Sequence, residues 1–406
     1  MDWFSRFFES GLYDFRVPRF VFLSLPSSCF MNLRNWLLWS GRDPSLVLGI
    51  LLFLLLFGFV PTALSDEPCH IEQEAPSSTQ MMVRILIGDC SEEERTVFAI
   101  SAQEVLVALE AGYGVQLEGV VLQGDLILST LPLGPLPNLD RVPAVLKARI
   151  DQEKLTKARN IQGPIVFNQV DIQGIFSTNL VNRGFMFFHG PVSITHSTFQ
   201  RSADFSRAIF LQETDFSDTT IRHEGFFIQA IFLGGVQFAQ VKFGSHTRFH
   251  KAVFSGPSSF QGVVFPGLAE FLEVEYQQKT DFSHVHFMQG TGFSGSKFQE
   301  SPDFSQSVFD RETFFRFTQF EKGAKFRAGM FHNTADFTEA RFGGETDFSM
   351  AVFDEPPQFT DERLAKQFRP RAGLQNSRNL SGLFVLAGLF LLFFYYLFRR
   401  QKAGNS

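Results

Sequence analysis

Tryptophan and tyrosine are scarce in this chain, at three and five residues, while phenylalanine supplies 53 of 406. A conventional core mixes Leu, Val and Ile with its aromatics, so the imbalance points instead to one structural position used many times. Cysteine is nearly missing too, and three residues cannot build a disulfide framework. Nor is there an excess of basic charge: the formal net charge is −6, which argues against nucleic acid as a partner, since a binding groove needs a basic stripe. The glycine- and aspartate-rich calcium-binding grammar of β-rolls does not occur, and Cys69 with His70 lacks a matching second metal-binding pair.

What is present is a period. Written in elevens from Asp204, the chain reads DFSRAIFLQET, DFSDTTIRHEG, FFIQAIFLGGV and so on for fourteen lines, ending at Pro357. Position two holds Phe205, Phe216, Phe227, Phe238, Phe249, Phe260, Phe271, Phe282, Phe293, Phe304, Phe315, Phe326, Phe337 and Phe348. Position seven holds Phe210, Phe232, Phe243, Phe254, Phe265, Phe287, Phe298, Phe309, Phe320, Phe331, Phe342 and Phe353, with Ile221 and Tyr276 as stand-ins. The residue two places earlier is small or β-branched almost throughout, as with Ala208, Thr219, Val241 and Ser307. A large and a small residue two apart share one side of an extended strand, and the residue between them points away. Helix fails as an account, because positions two and seven would lie on different faces and Gly, Thr, Ser and Pro are poor helix formers. A chain that coils repeatedly, stacking each strand on the one below at ~4.8 Å, satisfies the pattern. These Phe residues are then its structural core.

The segments ADFSRAIF (203–210), TDFSHVHF (280–287) and ADFTEARF (335–342) resemble the pentapeptide-repeat family, with the match strongest over 193–357. The resemblance implies an all-β fold, a right-handed quadrilateral β-helix, and a placement among membrane-anchored proteins of the cyanobacterial type. The family repeats every five residues, whereas this chain alternates five and six. A turn is therefore expected to take two elevens, with two of its four corners widened by a bulge or a longer turn.

Two apolar runs lie outside the repeats. Leu46–Val60 is followed by Ala63 and Ser65, spaced as at a signal-peptide cleavage site. The segment in front is long for a signal, so the run reads either as a cleaved signal peptide starting at Met31 or as an uncleaved anchor. The second run, 380–398, carries no charge and is long enough for one helix to cross the ~30 Å hydrocarbon layer. Arg399, Arg400 and Lys402 follow it, which places the tail in the cytoplasm and residues 66–375 outside it, in a periplasm or a thylakoid lumen. On that oxidising side Cys69 and Cys90 form an even pair, readable as a disulfide worth ~3 kcal/mol or as two free buried thiols. The expected organisation is 1–65 extension with signal or anchor, 66–162 cap region, 163–359 β-helix, 360–379 cap and linker, 380–398 transmembrane helix and 399–406 tail.

An open solenoid end exposes unpaired strand edges and needs a lid. Ser101 and Glu104 form a capping-box pattern ahead of Val105, Leu106 and Leu109, with Gly112 as a stop, predicting a helix over 101–111. Residues 115–128 read as a first, Leu/Val-built turn, 132–143 as a loop and 361–373 as containing a short C-terminal helix. Near 163–192 the register is imperfect, with Ser177 and Arg183 at would-be inward places.

No constellation reads as catalytic, cofactor-binding or metal-binding, and no cofactor is expected. His284 and His286 share an exposed side without a third ligand in register. Asp281 and Asp303, two elevens apart, should stack, and paired carboxylates are what glycoside cleavage requires. Asp before Phe recurs as part of the repeat, however, where it bonds nearby backbone. Phe226, Phe314 and Phe317 break the polar rule at outward positions and form a candidate partner patch. The expectation is a noncatalytic, membrane-anchored scaffold or interaction surface for an unknown protein partner. The alternatives are an exported carbohydrate-active enzyme, or an accessory subunit of a membrane complex whose span, with Gly382, Ala387 and Gly388, binds other helices.

Overall fold

The computed structural model describes residues 68–74, 80–138, 142–178, 180 and 184–368. Both apolar runs, the tail, Cys29, the Met31 start and Arg183 lie outside these residues. Among the described residues no helix is long and apolar enough to cross a membrane.

From Gly114 to Phe359 the chain winds as a four-sided solenoid. Strands Val192–Thr195, Thr198–Phe199, Ala203–Asp204 and Ala208–Phe210 occupy four successive faces of one turn, numbered 1 to 4. Each pairs in parallel with the strand two elevens on: Val192 with Thr214, Phe199 with Ile221, Ala203 with Gly225 and Phe210 with Phe232. The alternation of small and large residues produces this directly. Ala203 and Phe205 are buried, as are Thr214 and Phe216, and Asp204 and Asp215 point outward between them. Position-two rings line the inside of faces 1 and 3, and position-seven rings line faces 2 and 4. Rings one turn apart stack nearly parallel, as Phe249 on Phe271 at 4.9 Å and 4° and Phe265 on Phe287 at 5.0 Å and 1°. Rings from adjacent columns meet edge to face, as Phe260 and Phe271 do at 5.7 Å and 89°. The core is thus built from the two aromatic arrangements that the ring quadrupole favours.

The alternation of five and six residues has its cause in the corners. After the position-two Phe residues the chain turns tightly, the fourth residue donating back to the Phe carbonyl in most turns, as Ala252 N to Phe249 O at 3.0 Å, and to a serine hydroxyl one turn on at Val274 and Val285. The third residue of that turn takes positive φ, as in a type II turn. Arg207, Asp218, Gln229, Gln240 and Lys251 do so, one in each eleven, with φ of 56–61°. The other two corners carry the sixth residue and bring successive backbones close together. A Cβ on Gly267 would sit 1.8 Å from the Ser245 carbonyl oxygen, so only glycine fits there.

The solenoid begins below the strict repeats. Val115 pairs with Ile165, Val121 with Asp171 and Leu126 with Phe176, so 114–127 forms the first turn on three faces. The next step is longer than two elevens, because Phe176 lies opposite Ala203. An insertion therefore enters the turn after Ser177, and it corrects the register read from sequence. Ser177 pairs with the outward Asp204, so it does not occupy an inward place, although it is buried.

Below the first turn, β1 (His70–Glu74) and β2 (Met81–Ile87) pair antiparallel, and β2 runs parallel to Gly114–Glu118. Helices α1 (Glu92–Val97) and α2 (Ala102–Glu110) both start with capping boxes, at Ser91 with Glu94 and at Ser101 with Glu104. Helix α2 buries Val105 and Leu109 against the end of the ring core, and Gly112 beyond it has φ 84°. A Cys69–Cys90 disulfide, with Cα atoms 5.0 Å apart, joins the strand to the approach of α1. The segment expected to be only a loop holds the strand Leu133–Pro135 and is followed by α3 (Ala144–Glu153). At the far end α4 (Glu362–Gln367) is capped by Asp361, and Phe368 closes over Phe348, Phe353 and Phe359.

Candidate interaction surface

The interior of the described rod is filled with rings, which leaves its outer faces and its ends as the accessible surfaces. A hollow of about 340 Å³ at the C-terminal end is lined by residues such as Pro356, Pro357, Phe359 and Phe368, with no ionisable group among its walls. It can seat an apolar fragment but supplies no chemistry.

Outward side chains fall into vertical columns, because position one of a line lies above position one two lines earlier. On face 1, Asp281 and Asp303 are bridged neighbours, followed by Lys325 and Asp347. Each aspartate accepts from the backbone N–H two residues on: Ser283 N at 2.8 Å, Ser305 N at 2.9 Å and Ser349 N at 2.7 Å. That bond shapes the corner. The Lys325 ammonium lies 3.7 Å from Asp303, so the pair is arranged as a turn element with a cationic neighbour above it. His284 lies in a corner at φ 58°, while His286 points out of face 2 and meets Asp310 at 2.8 Å. Among the described residues no group of three His, Cys, Asp or Glu side chains is placed to hold a metal ion.

The aromatic patch read from sequence is dispersed. Phe226 and Phe314 share one column of face 3, but four turns separate them, about 19 Å at ~4.8 Å per turn. Phe226 is half-buried, with Arg248 lying 5.8 Å from its ring centroid. Phe314 is exposed, and Phe317 sits at a tight corner with φ 57°. The repeat explains this: positions a whole number of turns apart align in one column, yet each turn between them adds one strand spacing.

Face 3 also carries the densest polar cluster, which the sequence reading missed. One Glu270 oxygen accepts from His246 Nε2 at 2.7 Å and Arg248 Nε at 2.9 Å, and His250 Nε2 lies 3.5 Å away. His246, Arg248 and His250 alternate outward along one strand and corner, and Glu270 stands directly above Arg248. A spacing of two along the strand, combined with the double-eleven spacing between turns, was the available signal. Burial works to raise the Glu270 carboxyl, but the bonds from His246 and Arg248 outweigh it and hold it below the usual carboxylate range. Burial pushes His250 down, with partial compensation from Glu270, so its imidazole tends to the neutral form. The carboxylate is therefore bound by His246 and Arg248, while His250 Nε2 is buried beside it without a hydrogen-bond partner.

Face 4 bears an outward apolar column that is covered by α3. Phe187, Ile209, Ile231 and Val253 form an outward column there, and Leu146 and Ile150 of α3 pack on it. Arg149 donates to the corner carbonyls of Gln229 at 3.3 Å and Lys251 at 2.9 Å. The buried Arg207 binds Glu153 of the same helix, donates to the Gly184 carbonyl at 2.6 Å and lies over the Phe185 ring at 4.4 Å.

These features define a capped, four-sided parallel β-solenoid with patterned outer faces. Within it, residues 187–227 match the family model described as pentapeptide repeats in nine copies. No curated protein and no solved structure matches the chain.

Proposed function

We propose that this protein is a noncatalytic, membrane-anchored scaffold whose rod is held outside the cytoplasm and offers its faces to a protein partner. The observation that carries the reading is the division of labour in the rod: the interior is spent on stacked rings, and the outer faces carry columns of paired charges and aliphatic side chains. A repeat of this kind suits a structural or interaction role. The right-handed sense of the solenoid belongs to the resemblance with the repeat family. Anchoring is supported by the uncharged run 380–398 and the basic residues behind it. The Cys69–Cys90 disulfide supports an oxidising compartment such as a periplasm or lumen.

The test is protease accessibility of the tagged full chain in sealed, oriented membrane vesicles, run with and without reductant. The scaffold should resist alkaline extraction, keep residues 66–375 off the cytoplasmic side with the C-terminal tail exposed there, together with the N-terminal extension where the anchor is uncleaved, and migrate faster unreduced. Release by alkali, or a rod cleaved from the cytoplasmic side, would overturn the placement.

A further inference from the structure

The aliphatic outer column changes face partway up the rod. In the lower turns it lies on face 4, at Phe187, Ile209, Ile231 and Val253, while face 2 shows the polar Thr198, Thr220 and Lys242. Above Val253 face 4 turns polar, with Glu275, Lys297, Gln319 and Arg341. There face 2 takes over, with Val264, Val308, Met330 and Val352 in one column interrupted only by His286. Met330 is 39 % exposed, Val352 50 %, and Met350 on the adjoining corner 72 %. The lower column has a cover, α3, and among the described residues the upper one has none.

How α3 is held shows what such a column accepts. Its Leu146 and Ile150, one helical turn apart, lie on the aliphatic side chains, and Arg149 bonds two left-handed corner residues through their carbonyls. The corner beside the face 2 column has the same left-handed residues, Gln306, Ala328 and Met350. Among the described residues no donor meets the Gln306 or Ala328 carbonyl. The charges add a sign. Asp303, Asp310, Asp347 and Asp354 outnumber Lys325, Arg327 and Arg311 along this border; Asp303 is met by Lys325, and Asp310 and Asp354 by His286 and His332, which leaves an acidic excess that favours a cationic occupant.

We infer that the upper part of face 2 receives a basic amphipathic helix from a partner protein, with aliphatic residues at i and i+4 on the Val308–Met330–Val352 column and an arginine on the corner carbonyls. This rests on the scaffold reading and adds the face and the chemistry of the partner. Methionine at Met330 and Met350 suits the role, because its unbranched side chain adapts to the shape of what lies on it.

The test uses the full chain in mild detergent and a labelled peptide of roughly 18 residues, long enough to become helical when bound. The peptide carries leucines at i and i+4 and arginines on its polar side, and its control is a scrambled isomer of the same composition. The helical peptide should bind at least about tenfold more tightly than the isomer. Val308→Asp with Met330→Asp should abolish that preference, and Gln319→Asp on face 4 should leave it intact. Both positions point outward, so an unchanged melting curve confirms that the variant is folded. Equal binding of the two peptides, or an unchanged preference in the face 2 variant, overturns the proposal. So does a wild-type dimer that the variant turns into a monomer, since the occupant is then a second copy. A companion protein that co-purifies equally with wild type and variant overturns face 2 but leaves the scaffold reading standing, whereas finding no stoichiometric companion defeats both.

Discussion

Tyr276 sits in the ring column of face 4 between Phe254 and Phe298, at centroid distances of 5.0 and 4.4 Å. Its hydroxyl is buried with no hydrogen-bond partner, and burial pushes its pKa well above the usual phenol range. An orphaned hydroxyl of this kind costs about 1–3 kcal/mol, and phenylalanine fills the same column elsewhere without it. Tyr276→Phe is therefore expected to raise stability by about 1–2 kcal/mol in chemical denaturation, and a loss would mean that the hydroxyl has a partner after all. The opposite change is expected at Phe309, which stacks on Phe287 at 5.0 Å and on Phe331 at 4.5 Å. Phe309→Ala should cost about 3–5 kcal/mol, and a melt identical to wild type would contradict its inward packing. Small inward residues do more than make room. The Ser307 hydroxyl accepts from Val285 N at 3.2 Å and donates to Phe282 O at 2.6 Å, wedged into the tight turn one level down. The sequence marks Ser307 only as small, because the hydroxyl's partners lie a full turn back along the chain and come within reach only once the turns are stacked.

Among the elements, α2 and α3 differ in how visible they are before folding. Helix α2 starts with Ser101 and Glu104 in reciprocal bonds and carries a periodic apolar stripe, both readable locally. Helix α3 starts at Pro143 without a capping side chain and buries only Leu146 and Ile150, so neither signal is present. Its stability comes from contacts with residues several turns later in the chain, such as Ile231 and Lys251. Ile150→Ala should accordingly cost about 2–4 kcal/mol and raise hydrogen exchange in 142–155 while leaving turns above Val253 protected. Uniform loss of protection along the rod would argue that α3 is part of the cooperative core and not a strap upon it.

For the whole molecule, acid is expected to be destabilising. Glu270 is held below the 4.5 of an ordinary glutamate, so its contribution is present above that value and lost as pH falls through its folded value. Hydrogen bonding from Ser202 does the same for Glu224. His250 is held below 6.5, chiefly by burial, so protonation opposes the fold as pH drops from 6.5 downward. All three push in one direction, and the melting temperature should decline between pH 6.5 and 4, with His250→Asn flattening the upper part of that decline. A melting temperature that rises on acidification would reverse the sign assigned to this cluster. The scale of the molecule is also where sequence and structure divide. The inward rings, their small neighbours and the turn of two elevens followed from the chain alone, because a strand's two-residue alternation and a fixed repeat are local properties that stacking merely copies. The stacking of outward residues two elevens apart, such as Asp281 and Asp303, was legible as well, but where the period breaks and which stacked side chains bond was settled only by the tertiary structure. The insertion after Ser177 and the helix α3 laid across face 4 depend on how many residues lie between two points on neighbouring turns where the period is broken, a long-range count that no local pattern encodes, whereas the double-eleven spacing places Glu270 above Arg248 and only the fold decides which of its neighbours bond it.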